Sequence, residues 1–200
     1  GGPDHELPEM LAFYTGENEW RSHDEWPAKE AVNKTFYIHD NGTFNNDKPM
    51  GEGHDEWVSD PANPVPYTQE ISNGRSREYM VEDQRFAGAR PDVMVYETEI
   101  LTDDLTLSGP IVADLYVSTT GTDADFVVKV IDVFPDDFPE LEADEDKYMD
   151  VPMAGYQMMV RGEVIRGKYR NSYENPEAFK SGKVTQVKFT LPDITHTFKQ

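Results

Sequence analysis

Short apolar runs with a two-residue period recur through the second half of the chain, separated by glycines and prolines. Extended stretches are predicted at 93–98, 111–119, 126–134, 156–160, 163–170, 184–191 and 194–199. A two-residue period places successive side chains on opposite faces of a strand. No window of eleven or more residues keeps the i, i+3, i+4 apolar spacing of an amphipathic helix. The pattern predicts an all-β sandwich or barrel that forms one domain over residues 1–200.

Three segments refine this prediction. A β-hairpin is expected at about 34–45, because Asp40-Asn41-Gly42 between two apolar runs is a strong tight-turn signal. The run 126–134 is apolar on both faces, which predicts a strand covered on both sides and central in its sheet. Residues 47–91 contain five prolines and four glycines that interrupt every periodic pattern. A long irregular segment is expected there, and such segments often form functional or interfacial contacts.

Composition narrows the range of partners. The 200 residues carry a net charge of −21, which would repel phosphate backbones and anionic lipid surfaces, so nucleic acid is excluded as a partner. No apolar run has membrane-spanning length, so no membrane association is expected. The absence of cysteine rules out disulfides, thiolate metal sites and a thiol nucleophile. Cellular location stays open between cytoplasm and an exported compartment, since any export signal would lie upstream.

No catalytic constellation is visible in the sequence. None of the eight serines lies in the Gly-x-Ser-x-Gly context that forms the nucleophile elbow of an α/β-hydrolase. The five histidines have no diagnostic partner nearby and are interpreted as surface or loop residues. They are His5, His23, His39, His54 and His196. No catalytic residue and no cofactor-binding residue is therefore predicted.

Acidic and aromatic clusters offer alternatives of lower weight. Asp123 and Asp125 could form a glycosidase acid pair, but a role in a turn and strand entry is favoured. A dense acidic stretch could bind calcium, yet it lacks the EF-hand spacing, so a solvated loop is favoured and no metal ligand is predicted. Its members are Glu140, Glu142, Asp144, Glu145, Asp146 and Asp150. The three tryptophans could stack on a sugar or on a neighbouring domain, although packing of a loop against the sandwich is favoured. They are Trp20, Trp26 and Trp57.

Several short stretches, taken in order, resemble the C-terminal region of the α-amino acid ester hydrolases, glutaryl acylases and cocaine esterase, which are relatives of the X-Pro dipeptidyl-peptidases. Each stretch is weak alone, but their order makes the resemblance specific. They are Gly16-Glu17-Asn18-Glu19-Trp20-Arg21, Glu25-Trp26-Pro27, Tyr37-Ile38-His39, Tyr79-Met80-Val81-Glu82-Asp83-Gln84-Arg85-Phe86, Arg90-Pro91-Asp92-Val93, Tyr96-Glu97-Thr98, Leu101-Thr102, Gly109-Pro110, Asp123-Ala124-Asp125-Phe126, Ile131-Asp132-Val133, Arg166-Gly167-Lys168-Tyr169-Arg170 and Ser172-Tyr173-Glu174.

The resemblance implies a jelly-roll, galactose-binding-like β-sandwich without catalytic residues, which buttresses a hydrolase domain of the same parent chain. That hydrolase domain would carry the Ser-Asp-His triad. The opening Gly1-Gly2-Pro3 and the end at Thr197-Phe198-Lys199-Gln200 suggest a cut fragment, in which the sandwich is expected to lack its last strands. Exposed strand edges would then favour homo-oligomers.

Three functions follow as hypotheses. The leading one is a structural accessory domain whose irregular segment 47–91 forms the contact with another domain or subunit. The alternative is a carbohydrate-binding jelly-roll module, because exposed tryptophans favour stacking on sugars. An independent enzyme with an unorthodox site is the weakest, since no nucleophile has a candidate base or metal.

Overall fold

The structure is a computed structural model that describes residues 7–70, 73–74, 77–139 and 151–200. Its strands are β1 (Met10–Tyr14), β2 (Glu19–His23), β3 (Tyr37–Ile38), β4 (Phe44–Asn45), β5 (Leu105–Val117), β6 (Asp125–Val133), β7 (Gln157–Arg166) and β8 (Thr185–Phe198). Helical residues within the described ranges are limited to α1 (Arg85–Gly88) and two 3₁₀ turns, Glu78–Met80 and Gly167–Tyr169. None of these helices is long and apolar enough to cross a membrane.

The all-β prediction is confirmed, because strands dominate and the one α-helix has four residues. The described strands form four two-stranded sheets, β1–β2, β3–β4, β5–β8 and β6–β7. The jelly-roll order of strands stays a prediction.

Residue contacts divide the chain into two compact units. The first contains Gly1–Ala31, Asp103–Val130 and Val160–Lys199, and the second contains Val32–Thr102, Ile131–Met159 and Gln200. Strands β1, β2, β5 and β8 lie in the first unit and β3 and β4 in the second, while β6 and β7 contribute residues to each. The extent of a single domain over residues 1–200 stays a prediction.

The longest strand pair of the first unit is the antiparallel pair of β5 and β8. It runs from Leu105 opposite Phe198 to Val117 opposite Thr185. Val187 and Leu191 of β8 have no exposed surface, and they alternate with exposed residues as expected for a strand with one buried face.

A bulge lets β8 continue through a proline. Gly109 lies opposite Ile194 and Ile111 lies opposite Leu191, so the two residues between Leu191 and Ile194 face one residue of β5. One of those two is Pro192, which cannot donate a ladder hydrogen bond and is tolerated at bulges. The prediction of two strands, 184–191 and 194–199, is therefore corrected to one.

The hairpin of β1 and β2 joins this ladder through the backbone of Thr15. Phe13 lies opposite Trp20 within the hairpin. Just beyond β1, Thr15 N donates to Thr195 O at 3.2 Å, and Thr197 N donates to Thr15 O at 2.9 Å. The hairpin is thereby fixed along β8. Neither strand is predicted from the sequence, because β1 is apolar without clear alternation.

The core of the first unit is aromatic and aliphatic. Phe126, Phe179, Val187 and Ile165 form a buried cluster. Gly167 passes so close that an added Cβ would lie 2.4 Å from Phe179 Cε2. Strand β7 therefore runs into its 3₁₀ turn against the aromatic rings, and the predicted strands 156–160 and 163–170 are one strand that ends at Arg166.

The second unit contains the predicted hairpin and little other regular structure. Tyr37 lies opposite Asn45 and Ile38 opposite Phe44, which confirms the hairpin prediction. Phe44 N donates to Glu97 O at 2.7 Å, and Glu97 N donates to Gly42 O at 2.9 Å. The predicted strand 93–98 is wrong: it is reduced to the single bridge residue Glu97, because the two-residue strand β4 offers no longer edge for pairing.

The prediction for 126–134 is half right. The strand exists as β6, but within the described residues it pairs only with β7, so it is not central in its sheet. Val127 and Val133 are 61% and 52% exposed, so the second face is not covered. Apolar composition alone did not distinguish a covered strand from one with exposed valines.

We predict that Gly16 is the least replaceable glycine at the hairpin junction. Its φ is +86°, and an added Cβ would lie 1.9 Å from the Thr197 carbonyl oxygen, whereas Gly182 has a φ of +70° with nothing within 4 Å. Gly16→Ala should lower the free energy of unfolding by about 3 kcal/mol and Gly182→Ala by about 1–2 kcal/mol. Urea titrations followed by fluorescence measure both, and equal losses would contradict the steric argument.

Candidate interaction surface

The histidines of the first unit serve the interior. His23 and His196 are 8% and 1% exposed, so their interpretation as surface residues is wrong. His196 Nδ1 lies 2.7 Å from Thr15 Oγ1, and His23 Nε2 lies 3.0 Å from Tyr14 Oη. Both imidazoles satisfy polar groups at the junction of the hairpin with β8, which is why a sandwich interior tolerates them.

The Tyr14 hydroxyl lies between Ser108 and His23 in this hydrogen-bond network. Tyr14 Oη lies 2.8 Å from Ser108 Oγ as well as 3.0 Å from His23 Nε2. A nucleophilic serine needs the imidazole next to its own hydroxyl. Because Tyr14 occupies that place, the arrangement is a structural hydrogen-bond chain.

The remaining histidines have local partners. His39 of the second unit lies 2.9 Å from Asn45 Oδ1 and is half-buried. His54 is exposed and lies 3.1 Å from Glu56. His5 lies outside the described residues. Among the residues that the structure describes, no group of three or more His, Asp or Glu side chains could hold a metal ion.

Asp123 and Asp125 are engaged in separate contacts at the entry to β6. Asp123 Oδ1 accepts hydrogen bonds from Ala124 N at 3.1 Å and Lys168 N at 3.0 Å. Asp125 accepts two from Arg166, at 2.8 and 3.1 Å. These hydrogen bonds from the guanidinium lower the pKa of the Asp125 carboxyl. Both carboxylates thus serve local contacts at the entry to β6, which supports the turn and strand-entry interpretation. The acidic stretch 140–150 lies outside the described residues.

The tryptophans occupy three different environments. Trp20 is 66% exposed on β2, and Trp57 is 44% exposed in the irregular segment. Trp26 is half-buried, and its indole N–H donates to Asp193 at 2.5 Å. Trp26 therefore fits the expectation of internal packing, whereas Trp20 and Trp57 present large apolar area to solvent.

Within the irregular segment 47–91, residues 50–70 present apolar side chains to solvent; we call this part the tethered loop. It contains no strand or helix. Its exposed apolar residues are Met50, Trp57, Val58, Val65 and Tyr67. Five large apolar side chains are thus exposed along these 21 residues.

Three polar contacts hold the tethered loop at intervals along its length. Tyr96 Oη donates to Asp55 Oδ2 at 2.6 Å. The backbone carbonyl of Asn63 accepts a hydrogen bond from Arg90 at 3.0 Å, and Gln69 N donates to Glu82 at 3.0 Å. The loop is thus fixed through polar groups while Met50, Trp57 and Val58 stay exposed; the ring of Tyr67 also contacts Tyr79. A preformed loop loses less conformational entropy when it meets a partner.

The anchors themselves are braced. Arg90 donates two hydrogen bonds to the Asp92 carboxylate, at 2.8 and 2.7 Å. This pairing raises the pKa of Arg90 and lowers that of Asp92. Partial burial and the Asp55 carboxylate raise the pKa of Tyr96 to about 12. None of these anchors is predicted from the sequence; the Arg-x-Asp spacing of 90–92 is the one local signal of an ion pair there.

The described buried histidines and the Asp123 and Asp125 carboxylates are engaged in contacts within the chain, and the tethered loop exposes apolar side chains. Residues 5–200 match the family model of the X-Pro dipeptidyl-peptidase C-terminal non-catalytic domain. The chain belongs to this family.

Individual relatives agree with the family assignment. Cocaine esterase of Rhodococcus sp. (strain MB1 Bresler) is 28% identical over 201 residues, which cover 96% of this chain and 32% of that enzyme. The crystal structure of an aminopeptidase from the marine sediment archaeon Thaumarchaeota archaeon has a TM-score of 0.87 at 37% identity, covering 98% of this chain and 32% of that one. An α-amino acid ester hydrolase has a TM-score of 0.86 at 34% identity, covering 100% and 33%.

These matches confirm the resemblance to cocaine esterase and the α-amino acid ester hydrolases, and they are consistent with an all-β sandwich. The likeness to glutaryl acylases stays a prediction. The chain spans about a third of the length of the relatives it matches.

We predict that the Asp125–Arg166 pair stabilises the fold in a pH-dependent way. The folded-state pKa of Asp125 lies below the usual 3.8, so its contribution is present above that value and is lost as pH falls through the lowered pKa. The pair is about half exposed, so Asp125→Asn should cost about 0.2–1 kcal/mol at pH 7 and less at about pH 2. Urea unfolding at the two pH values measures the free energy of unfolding of both chains. Asp24→Asn is the control at an exposed aspartate, and a loss of equal size in that variant would contradict the prediction.

We also predict that Tyr96 controls access to the tethered loop. Tyr96→Phe removes the hydrogen bond to Asp55, so proteolysis within residues 50–70 should accelerate, while the exposed control Tyr116→Phe should not change it. In the unaltered chain the same cleavage should accelerate as pH rises from 10 towards 12, because the unfolded-state tyrosine ionises before the folded one. Cleavage sites mapped by mass spectrometry would contradict the prediction if they lay elsewhere.

Proposed function

We propose that this chain is the non-catalytic accessory domain of a serine hydrolase and that it buttresses the catalytic domain of the same parent chain. The observation that supports this most strongly is the match of residues 5–200 to a non-catalytic domain family, together with relatives about three times as long. The catalytic serine, histidine and aspartate and the oxyanion hole would lie in the remaining part of the parent.

The parent's reaction class follows from the relatives rather than from any side chain of this domain. Their names describe an esterase, an aminopeptidase and an amino acid ester hydrolase. All three activities are hydrolytic attack on an acyl carbon, in which the leaving group is an alcohol or an amine. We therefore propose acyl transfer to water from an ester or amide for the parent enzyme.

The tethered loop is the proposed docking surface of the second unit. Met50 and Val58, its most exposed apolar residues, are 104% and 79% exposed, and burial of such side chains stabilises an interface by roughly 25 cal/mol per Å² of apolar area. The polar contacts of Asp55, Asn63 and Gln69 hold the backbone of the loop in position before docking. The notion that the segment 47–91 forms such a contact thus becomes specific to residues 50–70.

Self-association and sugar binding have less support. A chain with a net charge of −21 repels its own copies, and the formation of homo-oligomers stays a prediction that sedimentation across concentrations measures. The relatives named above are all hydrolases, which gives the carbohydrate-binding alternative no support.

The proposal predicts that the parent protein is an active hydrolase and that the 200-residue chain by itself is not. The parent protein should hydrolyse amino-acid esters, and the 200-residue chain alone should hydrolyse none above the buffer rate. In the parent, Val58→Asp should speed thermal inactivation, because a carboxylate would enter the docking surface. The matched control is Val184→Asp, at a valine that is 62% exposed in the first unit. Turnover by the isolated chain, or a frame without a catalytic domain, would overturn the proposal.

A further inference from the structure

The outward face of the β1–β2 hairpin is apolar. Trp20 and Leu11 are 66% and 53% exposed, and Phe13 contacts Trp20 edge to face with 5.4 Å between ring centroids. On the opposite face, Ala12 and Tyr14 are buried within the first unit. The hairpin therefore has apolar side chains on both faces, although the described part of the chain covers one of them.

The β5–β8 pair of the same unit shows what a solvent face looks like in this protein. Its outward positions carry Asp114 and Lys188, whose charged groups lie 3.2 Å apart. Gln186 donates to Asp114 at 2.7 Å, and the same face carries two exposed apolar residues, Val112 and Tyr116, at 51% and 72% exposure. An antiparallel pair with one face in water is expected to be polar on that face. On β5–β8, charged and amide side chains separate the two apolar residues, whereas the outward positions within β1 and β2 carry no charged group.

Two carboxylates flank the open end of the hairpin. Glu9 lies one residue before β1 and Asp24 one residue after β2, next to the Met10–His23 pair, and both are exposed. Two copies of this face would bring like charges together in chains that each carry −21. A surface with an apolar centre and basic side chains at its edge would instead be complementary.

We propose that the outward face of the β1–β2 hairpin, formed by Leu11, Phe13 and Trp20, is a second docking surface for the catalytic domain of the parent hydrolase. The surface that it meets is apolar, with lysine or arginine side chains next to Glu9 and Asp24. This inference rests on the proposed function and adds a contact in the first unit to that of the tethered loop in the second.

The test uses the parent protein purified from its source reading frame. Trp20→Glu should speed the loss of hydrolase activity at a fixed elevated temperature by about tenfold, as expected for removal of a central interface aromatic. The matched control Tyr116→Glu introduces the same charge at an aromatic residue that is 72% exposed on the polar face, and it should leave the rate unchanged. Asp24→Lys should also speed inactivation, and less so at high salt.

The 200-residue chain with the same substitutions separates docking from local folding. Trp20→Glu loses the edge-to-face contact with Phe13, so the isolated variant should be less stable than Tyr116→Glu by no more than about 1.5 kcal/mol. Asp24 is exposed, and Asp24→Lys should unfold at the same urea concentration as Tyr116→Glu. Equal inactivation rates for the Trp20→Glu and Tyr116→Glu parents would overturn this inference and leave the proposed function intact. The inference would also be overturned if the loss of stability of the isolated Trp20→Glu chain, measured in urea, were large enough to account for the faster inactivation of the Trp20→Glu parent. A source reading frame that encodes no hydrolase domain would overturn both this inference and the proposed function.

Discussion

The packing of the first unit depends on the junction between the β1–β2 hairpin and strand β8. Thr15 exchanges backbone hydrogen bonds with Thr195 and Thr197, and the next residue, Gly16, passes within van der Waals contact of the Thr197 carbonyl. A side chain there would push the hairpin off β8. Once that approach is secured, Tyr14 and His196 reach the interior and complete its polar contacts.

The buried polar network at this junction joins a serine, a tyrosine and a histidine in one hydrogen-bond chain. Tyr14 lies between Ser108 and His23, so the groups from which a hydrolase would build a nucleophile and base satisfy one another instead. Unsatisfied polar groups in a sandwich interior would cost about 1–3 kcal/mol each. Here the histidines contribute to folding, and the chemistry of the proposed parent would come from elsewhere in its chain.

In the second unit, an irregular segment is held in place although several of its apolar residues are not buried. Asp55, Asn63 and Gln69 are anchored through polar groups, so the loop does not collapse onto its own tryptophan and valines. Short-range pattern could not show this. The anchoring residues Tyr96, Arg90 and Glu82 lie 13 to 41 residues away along the chain, and no periodicity links them to the loop.

The sequence by itself determined the class of fold, the hairpin around Gly42 and the family, because alternation, turn residues and ordered short stretches are local properties of a chain. It could not determine that Pro192 sits inside one long strand, since the bulge exists only when β5 lies opposite. It assigned His23 and His196 to the surface, because burial of an imidazole depends on hydroxyl partners that the fold brings together. Which apolar residues stay exposed, above all Trp20 and Val58, was likewise decided by the tertiary structure, because exposure is a property of neighbours in space.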